Sequence, residues 1–161
     1  MSTLDSPERG AASLAGPPPR ILVIAAPYYR DVVDGMLRGA QGVLADVQAV
    51  TETVEVAGAY ELPAALAMAL TSPRRWDGFL LLGCVVQGET DHYTFICDAI
   101  CHGVMDVSTK HAAAIGFGLL TVDSLAQAEA RSRDDHMNKG AEAAHAVLGQ
   151  VAIARGWGIA G

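Results

Sequence analysis

Runs of consecutive apolar residues alternate along this chain with stretches in which apolar residues recur every three or four positions. The continuous, β-branched run at 21–26 is typical of a strand that is covered on both faces. The spacing of apolar residues at 32–44 predicts an amphipathic helix. The same alternation predicts further strands at 51–56, 78–86 and 114–120, and further helices at 61–70, 92–108, 124–133 and 138–154.

Strands that alternate with helices of this length predict right-handed crossovers and a parallel sheet between two helix layers. The expected fold is therefore α/β, a three-layer sandwich around a flavodoxin-like, four-stranded parallel sheet. Ligands of such open sheets bind beyond the carboxyl ends of the strands, so the loops that follow the strands are where candidate chemistry is sought.

The length of 161 residues favours one domain, which we place at 21–161 after a leader at 1–20 that is expected to be disordered. A hydrophobic share of 51% with 18% charged residues favours a homo-oligomer that buries additional surface. The net charge of -7 argues against nucleic acid as a partner. The apolar runs are shorter than the roughly 20 residues that span a bilayer, so no membrane association is expected.

The three cysteines, Cys84, Cys97 and Cys101, show no disulfide-framework spacing, which favours a reducing cytoplasm. Cys97 and Cys101 lie four apart beside His102, but no fourth metal ligand is evident. Core packing is the favoured interpretation of this cluster, and no metal or other cofactor is predicted.

The segment 88–90, Gly-Glu-Thr, precedes a strong helical pattern, so backbone N–H groups at the helix start could bind a phosphate. The alternative, that Thr90 or Asp91 simply caps the helix, has equal weight. Arg131 or Arg133 could supply a guanidinium, although interaction with the carboxyl end of their own helix is favoured from spacing alone. Lys139 opposes the dipole at the start of the last helix, which suggests an anionic partner.

His92, in the first turn of its predicted helix, is the candidate for proton transfer near neutral pH. Tyr28, Tyr60 and Phe117 lie on strands or at their ends and could stack on a planar heterocycle, although core packing is the commoner fate of each ring. Glu61 could accept hydrogen bonds from such a ligand, or could only stabilise its own helix.

Four segments together resemble the signature segments of lumazine synthases, in that family's order and spacing. They are Gly-Ala-Tyr-Glu-Leu-Pro at 58–63, Gly-Glu-Thr-Asp-His-Tyr at 88–93, Phe-Gly-Leu-Leu-Thr at 117–121 and Asn-Lys-Gly at 138–140. The resemblance extends over 21–154. It implies condensation of 5-amino-6-ribitylaminouracil with dihydroxybutanone phosphate to dimethyl-ribityllumazine, the penultimate step of riboflavin biosynthesis, by a homopentamer or a pentamer-based assembly, with riboflavin synthase as a further candidate partner.

The resemblance also implies a role for each matching residue. His92 would transfer protons. The pyrimidine and its ribityl chain would contact Tyr28, Ala59, Tyr60, Glu61, Cys84, Val85, Val86 and Phe117. The phosphate would contact Glu89, Thr90, Arg131 and Lys139. In the family, the equivalents of Phe117, Arg131 and Lys139 come from the neighbouring subunit.

Two departures from the family bear on assembly. The turn at 132–137 lacks the glycine that is typical of sixty-subunit shells, and prolines at 17–19 interrupt the segment that would add a strand to a neighbouring sheet. Both departures favour free pentamers. The turn at 132–137 is not lengthened, however, so a sixty-subunit shell stays an alternative. A second tyrosine follows Tyr28, which leaves open which of the two rings would stack on the substrate.

Overall fold

The computed structural model describes residues 9–159. Their regular structure consists of β1 (Arg20–Ala26), α1 (Arg30–Asp46), β2 (Val50–Glu55), α2 (Leu62–Thr71), β3 (Gly78–Val86), α3 (His92–His111), β4 (Ile115–Val122), α4 (Leu125–Ala130) and α5 (Lys139–Gly156). Two short 3-10 turns, Pro27–Tyr29 and Ala59–Glu61, follow β1 and β2.

The four strands form one sheet in the order β2-β1-β3-β4, and every neighbouring pair is parallel. The predicted flavodoxin-like, four-stranded parallel sheet is therefore confirmed. β2 and β4 are the outer strands of this sheet. Within the described part of the chain, no helix is long and apolar enough to cross a membrane.

The alternation of side chains along each strand divides the core into two layers. Ile21, Val23 and Ala25 face one cluster, which the helices α1, α4 and α5 cover. Leu22 and Ile24 face the other cluster, which α2 and α3 cover. Because the central strands are apolar on both faces, they read in the sequence as continuous hydrophobic runs.

The fourth helix is shorter in the structure than predicted. The prediction placed the fourth helix at 124–133, whereas α4 ends at Ala130 and Arg131 and Arg133 lie in the turn that follows. The helix stops because the chain must reverse here: Lys139 N–H donates to Arg131 O at 2.9 Å, which closes the turn onto the start of α5.

The backbone of α5 approaches β4 closely at Gly116. A Cβ atom there would lie 2.1 Å from the carbonyl oxygen of Ala143 in α5, so only glycine lets α5 pack at this depth. This contact fixes the height of α5 on the sheet.

The predicted leader at 1–20 falls partly outside the described residues. Its described part, 9–19, has neither helix nor strand, and β1 begins at Arg20. Ala12 and Leu14 pack against the core, and the N–H of Ala12 donates to Asp46 Oδ2 at 3.0 Å. Val50 N–H donates to Pro19 O at 2.8 Å, so the residue before β1 already joins the start of β2.

Candidate functional site

The carboxyl ends of the strands gather most of the predicted site residues. The 3-10 turn after β1 carries Tyr28, which is 76% exposed, whereas Tyr29 is half-buried and packs against the core. The two rings meet edge to face, with centroids 5.2 Å apart. Tyr29 therefore supports Tyr28 from below, and Tyr28 is the ring that a ligand can reach.

An ion pair ties the Tyr28 turn to the end of β2. Arg30, the first residue of α1, donates through Nη1 and Nη2 to the two carboxylate oxygens of Glu55, each at 3.0 Å. These hydrogen bonds lower the pKa of the Glu55 carboxyl and raise that of the Arg30 guanidinium. No local sequence pattern predicts this pair, because its members lie 25 positions apart in the chain.

The three residues of the 3-10 turn after β2 differ in their exposure to solvent. Ala59 is buried, and its Cβ would be 3.5 Å from a Cβ atom built on Gly83 of β3, so this turn lies against the end of β3. Tyr60 is 59% exposed, and Glu61 is exposed beside it. A second aromatic ring and a carboxylate therefore face solvent at the same end of the sheet as Tyr28.

The end of β3 forms the floor between these turns. Cys84 is buried, and burial raises the pKa of its thiol to about 11. Val85 and Val86 are half-buried, and Gln87 N–H donates to Val122 O at 2.8 Å, which joins the ends of β3 and β4. A thiol that stays protonated at neutral pH contributes packing rather than nucleophilic chemistry.

The loop from Gly88 to Asp91 is exposed and leads into α3. Asp91 occupies the N-cap position, but its side chain makes no capping hydrogen bond, and the first turn of α3 contains no acidic residue. The capping alternative for Thr90 and Asp91 is therefore not realised. The N–H groups at this helix start remain available to an anion, with Glu89 and Thr90 exposed beside them.

His92 is the first residue of α3 and is exposed. The next residue, Tyr93, is half-buried and interacts with Thr121 of β4 and with Cys97 one turn later; burial is the main cause that raises the pKa of its phenol. Tyr93 thus fastens the first turn of α3 to the end of β4. His92 is held at this uncapped helix start while its imidazole stays accessible.

Three predicted residues lie along the outer edge of β4, beside the stretch that extends from Phe117 to the end of the strand at Val122. There, a cavity of about 390 Å³, which we call the edge cavity, is lined by Phe117, Arg131, Lys139 and Glu142 together with neighbouring residues of β4 and α5. Phe117 pairs with Leu81, five residues before the end of β3 at Val86. At about 3.3 Å per residue, the Cα of Phe117 is roughly 16 Å from the carboxyl end of the strand, beyond the reach of its ring.

Each cation of the edge cavity already has a partner. Arg131 Nη1 donates to Gln127 O at 2.8 Å, so the favoured alternative, interaction with the carboxyl end of its own helix, is realised. The anionic partner that the position of Lys139 suggested is Glu142, one turn further along α5, whose Oε2 accepts a hydrogen bond from Lys139 Nζ. Glu142 was not among the predicted residues, although its spacing of three from Lys139 on a helix indicates an ion pair.

Asn138 holds this cation-bearing turn in place. Its side chain is buried, and its Nδ2 donates to Gly35 O at 3.0 Å and Arg133 O at 2.8 Å. Its Oδ1 accepts from Gly140 N–H at 2.9 Å and Ala141 N–H at 3.1 Å, which caps α5. A Cβ atom on Gly140 would lie 1.9 Å from Met36 O, so the Asn-Lys-Gly segment presents Lys139 between two positions fixed by α1.

The remaining candidate cluster contains Cys97, Cys101 and His102. Among the described residues, no group of three or more His, Cys, Asp and Glu side chains could hold a metal ion. The core-packing interpretation is wrong for Cys101, which is exposed because it lies on the face of α3 turned away from the sheet; Cys97 is half-buried.

The site is therefore divided into two halves. The strand-end half contains Tyr28, Ala59, Tyr60, Glu61, Cys84, Val85, Val86, Glu89, Thr90 and His92. The other half is the edge cavity with Phe117, Arg131 and Lys139. Fold and site together define an α/β-layer protein whose candidate ligand-binding site lies at the carboxyl ends of parallel strands.

Comparison with known proteins identifies the family. The sequence profile of the 6,7-dimethyl-8-ribityllumazine synthases matches residues 18–155. The chain is similar to proteins of that name from Methylorubrum extorquens (41% identity over 155 residues, 94% of this chain and 88% of the relative), Bartonella tribocorum (38% over 140 residues, 87% and 93%) and Paramagnetospirillum magneticum (38% over 146 residues, 87% and 97%). The chain belongs to the 6,7-dimethyl-8-ribityllumazine synthase family and is an enzyme of the transferase class.

Proposed function

We propose that this chain condenses 5-amino-6-(D-ribitylamino)uracil with 3,4-dihydroxy-2-butanone 4-phosphate to 6,7-dimethyl-8-ribityllumazine, the penultimate step of riboflavin biosynthesis, in the cytoplasm. The observation that carries the proposal is the joint exposure of Tyr28, His92 and an uncapped helix start at one end of the sheet of a family member. These are the parts that a planar substrate, a proton transfer and a phosphate require.

In this reaction the amine of the pyrimidine attacks the ketone of the sugar phosphate, and loss of water gives a Schiff base. Elimination of inorganic phosphate across C3–C4 then leaves an enol, whose tautomerisation gives a ketone at C3. Attack by the ribitylamino nitrogen on this new carbonyl closes the ring with loss of a second water. His92 transfers protons in these steps. Much of the acceleration comes from holding two substrates in attack geometry, since no covalent enzyme intermediate is required.

The binding roles follow the two halves of the site. Tyr28 stacks on the pyrimidine, and Ala59, Tyr60, Glu61 and residues 84–86 contact its ring and ribityl chain. Glu89 and Thr90 hold the phosphate through backbone N–H and hydroxyl groups. Phe117 closes the pyrimidine pocket, while Arg131 and Lys139 contact the phosphate.

We further propose that the edge cavity of one subunit completes the strand-end half of its neighbour in a homo-oligomer, a pentamer or an assembly built from pentamers. The roughly 16 Å between Phe117 and the strand ends supports this arrangement, since the ring cannot reach the site of its own chain. Riboflavin synthase, which would consume the product, is a candidate partner. Size-exclusion chromatography with light scattering measures the mass of the assembly and so tests the proposed oligomer.

The purified protein, incubated with both substrates, should generate the absorbance of the lumazine product. Phosphate release in equal amount should accompany it. Tight binding of a flavin or lumazine with no product formed would contradict the proposal and identify the chain as a binding scaffold.

A further inference from the structure

The edge cavity contains a carboxylate where the proposed function requires an anion site. Glu142 lines the cavity with Arg131 and Lys139, and its Oε2 accepts a hydrogen bond from Lys139 Nζ. Both side chains of this ion pair are only about one quarter exposed, at 24% for Lys139 and 25% for Glu142. The pair is therefore less screened by solvent than an ordinary surface ion pair.

A phosphate that enters the cavity meets two opposing charges. The Lys139 ammonium attracts it, but the hydrogen bond to Glu142 must be exchanged or shared, and the carboxylate repels a phosphate dianion at close range. The net affinity of the cavity for phosphate is thus the difference between these interactions. Removal of the Glu142 charge alone should raise it.

A second cation, Arg9, lies near Glu142. Arg9 Nη1 lies 3.9 Å from the same Oε2 atom, and Glu142 also lines an adjacent cavity of about 310 Å³ together with Arg9 and His145. When the ammonium binds phosphate, the carboxylate can therefore stay paired on its other side. The exchange therefore costs little free energy, because the Glu142 carboxylate keeps a cation beside it.

We propose that Glu142 competes with the phosphate-bearing substrate for the Lys139 ammonium, and so determines how tightly the edge cavity holds phosphate and how readily inorganic phosphate leaves after the reaction. This inference rests on the proposed function, in which Lys139 contacts phosphate. It assigns to Glu142 an affinity-setting role that opposes binding.

Titration calorimetry with inorganic phosphate on the assembled full-length protein tests the proposal. Glu142→Gln keeps the size and the hydrogen-bonding oxygen but removes the charge, and it is expected to tighten phosphate binding about two- to five-fold, the range of a partly exposed ion pair. Glu129→Gln is the matched control: it makes the same charge change at an exposed position on α4 and should leave binding unaltered.

Kinetics provide a readout that a purely structural role would not change. In Glu142→Gln the KM for the sugar phosphate should fall, while the KM for the pyrimidine substrate stays the same. In a Lys139→Met background the effect of Glu142→Gln should be clearly smaller, because competition for the ammonium is absent and only the direct repulsion between carboxylate and phosphate is relieved.

Unchanged or weaker phosphate binding by Glu142→Gln would overturn the inference, as would an equal tightening by Glu129→Gln. If Lys139→Met weakens phosphate binding while Glu142→Gln changes nothing, only this inference fails. If Lys139→Met itself leaves phosphate binding unaltered, the phosphate role of Lys139 in the proposed function fails with it.

Discussion

Replacement of Asn138 by alanine should destabilise the protein by about 3 kcal/mol. The Nδ2 hydrogen bonds to Gly35 O and Arg133 O contribute about 1 kcal/mol each. The Oδ1 cap on α5 contributes about another 1 kcal/mol. The side chain is only 2% exposed, so water cannot replace these partners without opening the contact between α1 and α5.

Urea denaturation of wild type and Asn138→Ala at one fixed protein concentration measures this difference, since the stability of an oligomer depends on concentration. Asn138→Asp separates the two contributions: it keeps the capping oxygen and loses both donors, so it should lose at least about 2 kcal/mol.

Ser124→Ala is the matched control. Ser124 caps the exposed start of α4 through one long bond, from Gln127 N–H at 3.4 Å, so its loss should cost no more than about 1 kcal/mol. If Asn138→Ala cost as little as Ser124→Ala, the buried amide would not be the anchor of the Arg131–Lys139 turn, and the reasoning would be refuted.

Three further predictions concern packing, pH and catalysis. Gly140→Ala should destabilise the protein by more than about 2 kcal/mol in thermal unfolding, because its Cβ would meet Met36 O. Gly149 faces open space on the same helix, so Gly149→Ala should stabilise the protein by up to about 1 kcal/mol. Equal effects of the two substitutions would contradict this packing. Burial raises the pKa of the Cys84 thiol from 9.0 to about 11, so the unfolded thiol ionises first and stability should fall from pH 9 to 11. Cys84→Ala should remove this part of the alkaline decline in Tm, and an unchanged slope would exclude Cys84 as its source. His92→Ala should slow lumazine formation about a hundredfold while the elution volume of the assembly stays the same; near-normal turnover would remove His92 from its role.

The sequence predicted the sheet and the strand-end half of the site because those features are local. Continuous apolar runs identify doubly covered strands, and the loop after each strand must lie at the carboxyl edge of a parallel sheet. The sequence alone therefore places Tyr28, Glu61 and His92 at one end of the fold.

The features that the sequence did not predict depend on contacts between distant parts of the chain. The partner that Asn138 finds in α1 lies 103 positions away, and nothing in the local pattern distinguishes its amide from that of a surface residue. The end of α4 at Ala130 depends on the closing bond from Lys139 to Arg131 rather than on propensity. The difference between Tyr28 and Tyr29 likewise depends on a contact with the core, which only Tyr29 makes.

The central claim is that two copies of this chain each supply half of one site. It is tested most directly by mixing two variants. His92→Ala lacks the proposed proton-transfer group of the strand-end half, and Arg131→Ala lacks a proposed phosphate contact of the edge cavity. Each variant alone should be strongly impaired, Arg131→Ala mainly in its KM for the sugar phosphate. After joint unfolding and reassembly at equal amounts, random mixing in a symmetric ring should restore about one quarter of the sites to wild-type composition. Recovery of activity to about that level at limiting sugar phosphate is the predicted result; a mixture no more active than the average of its two components would contradict a shared site.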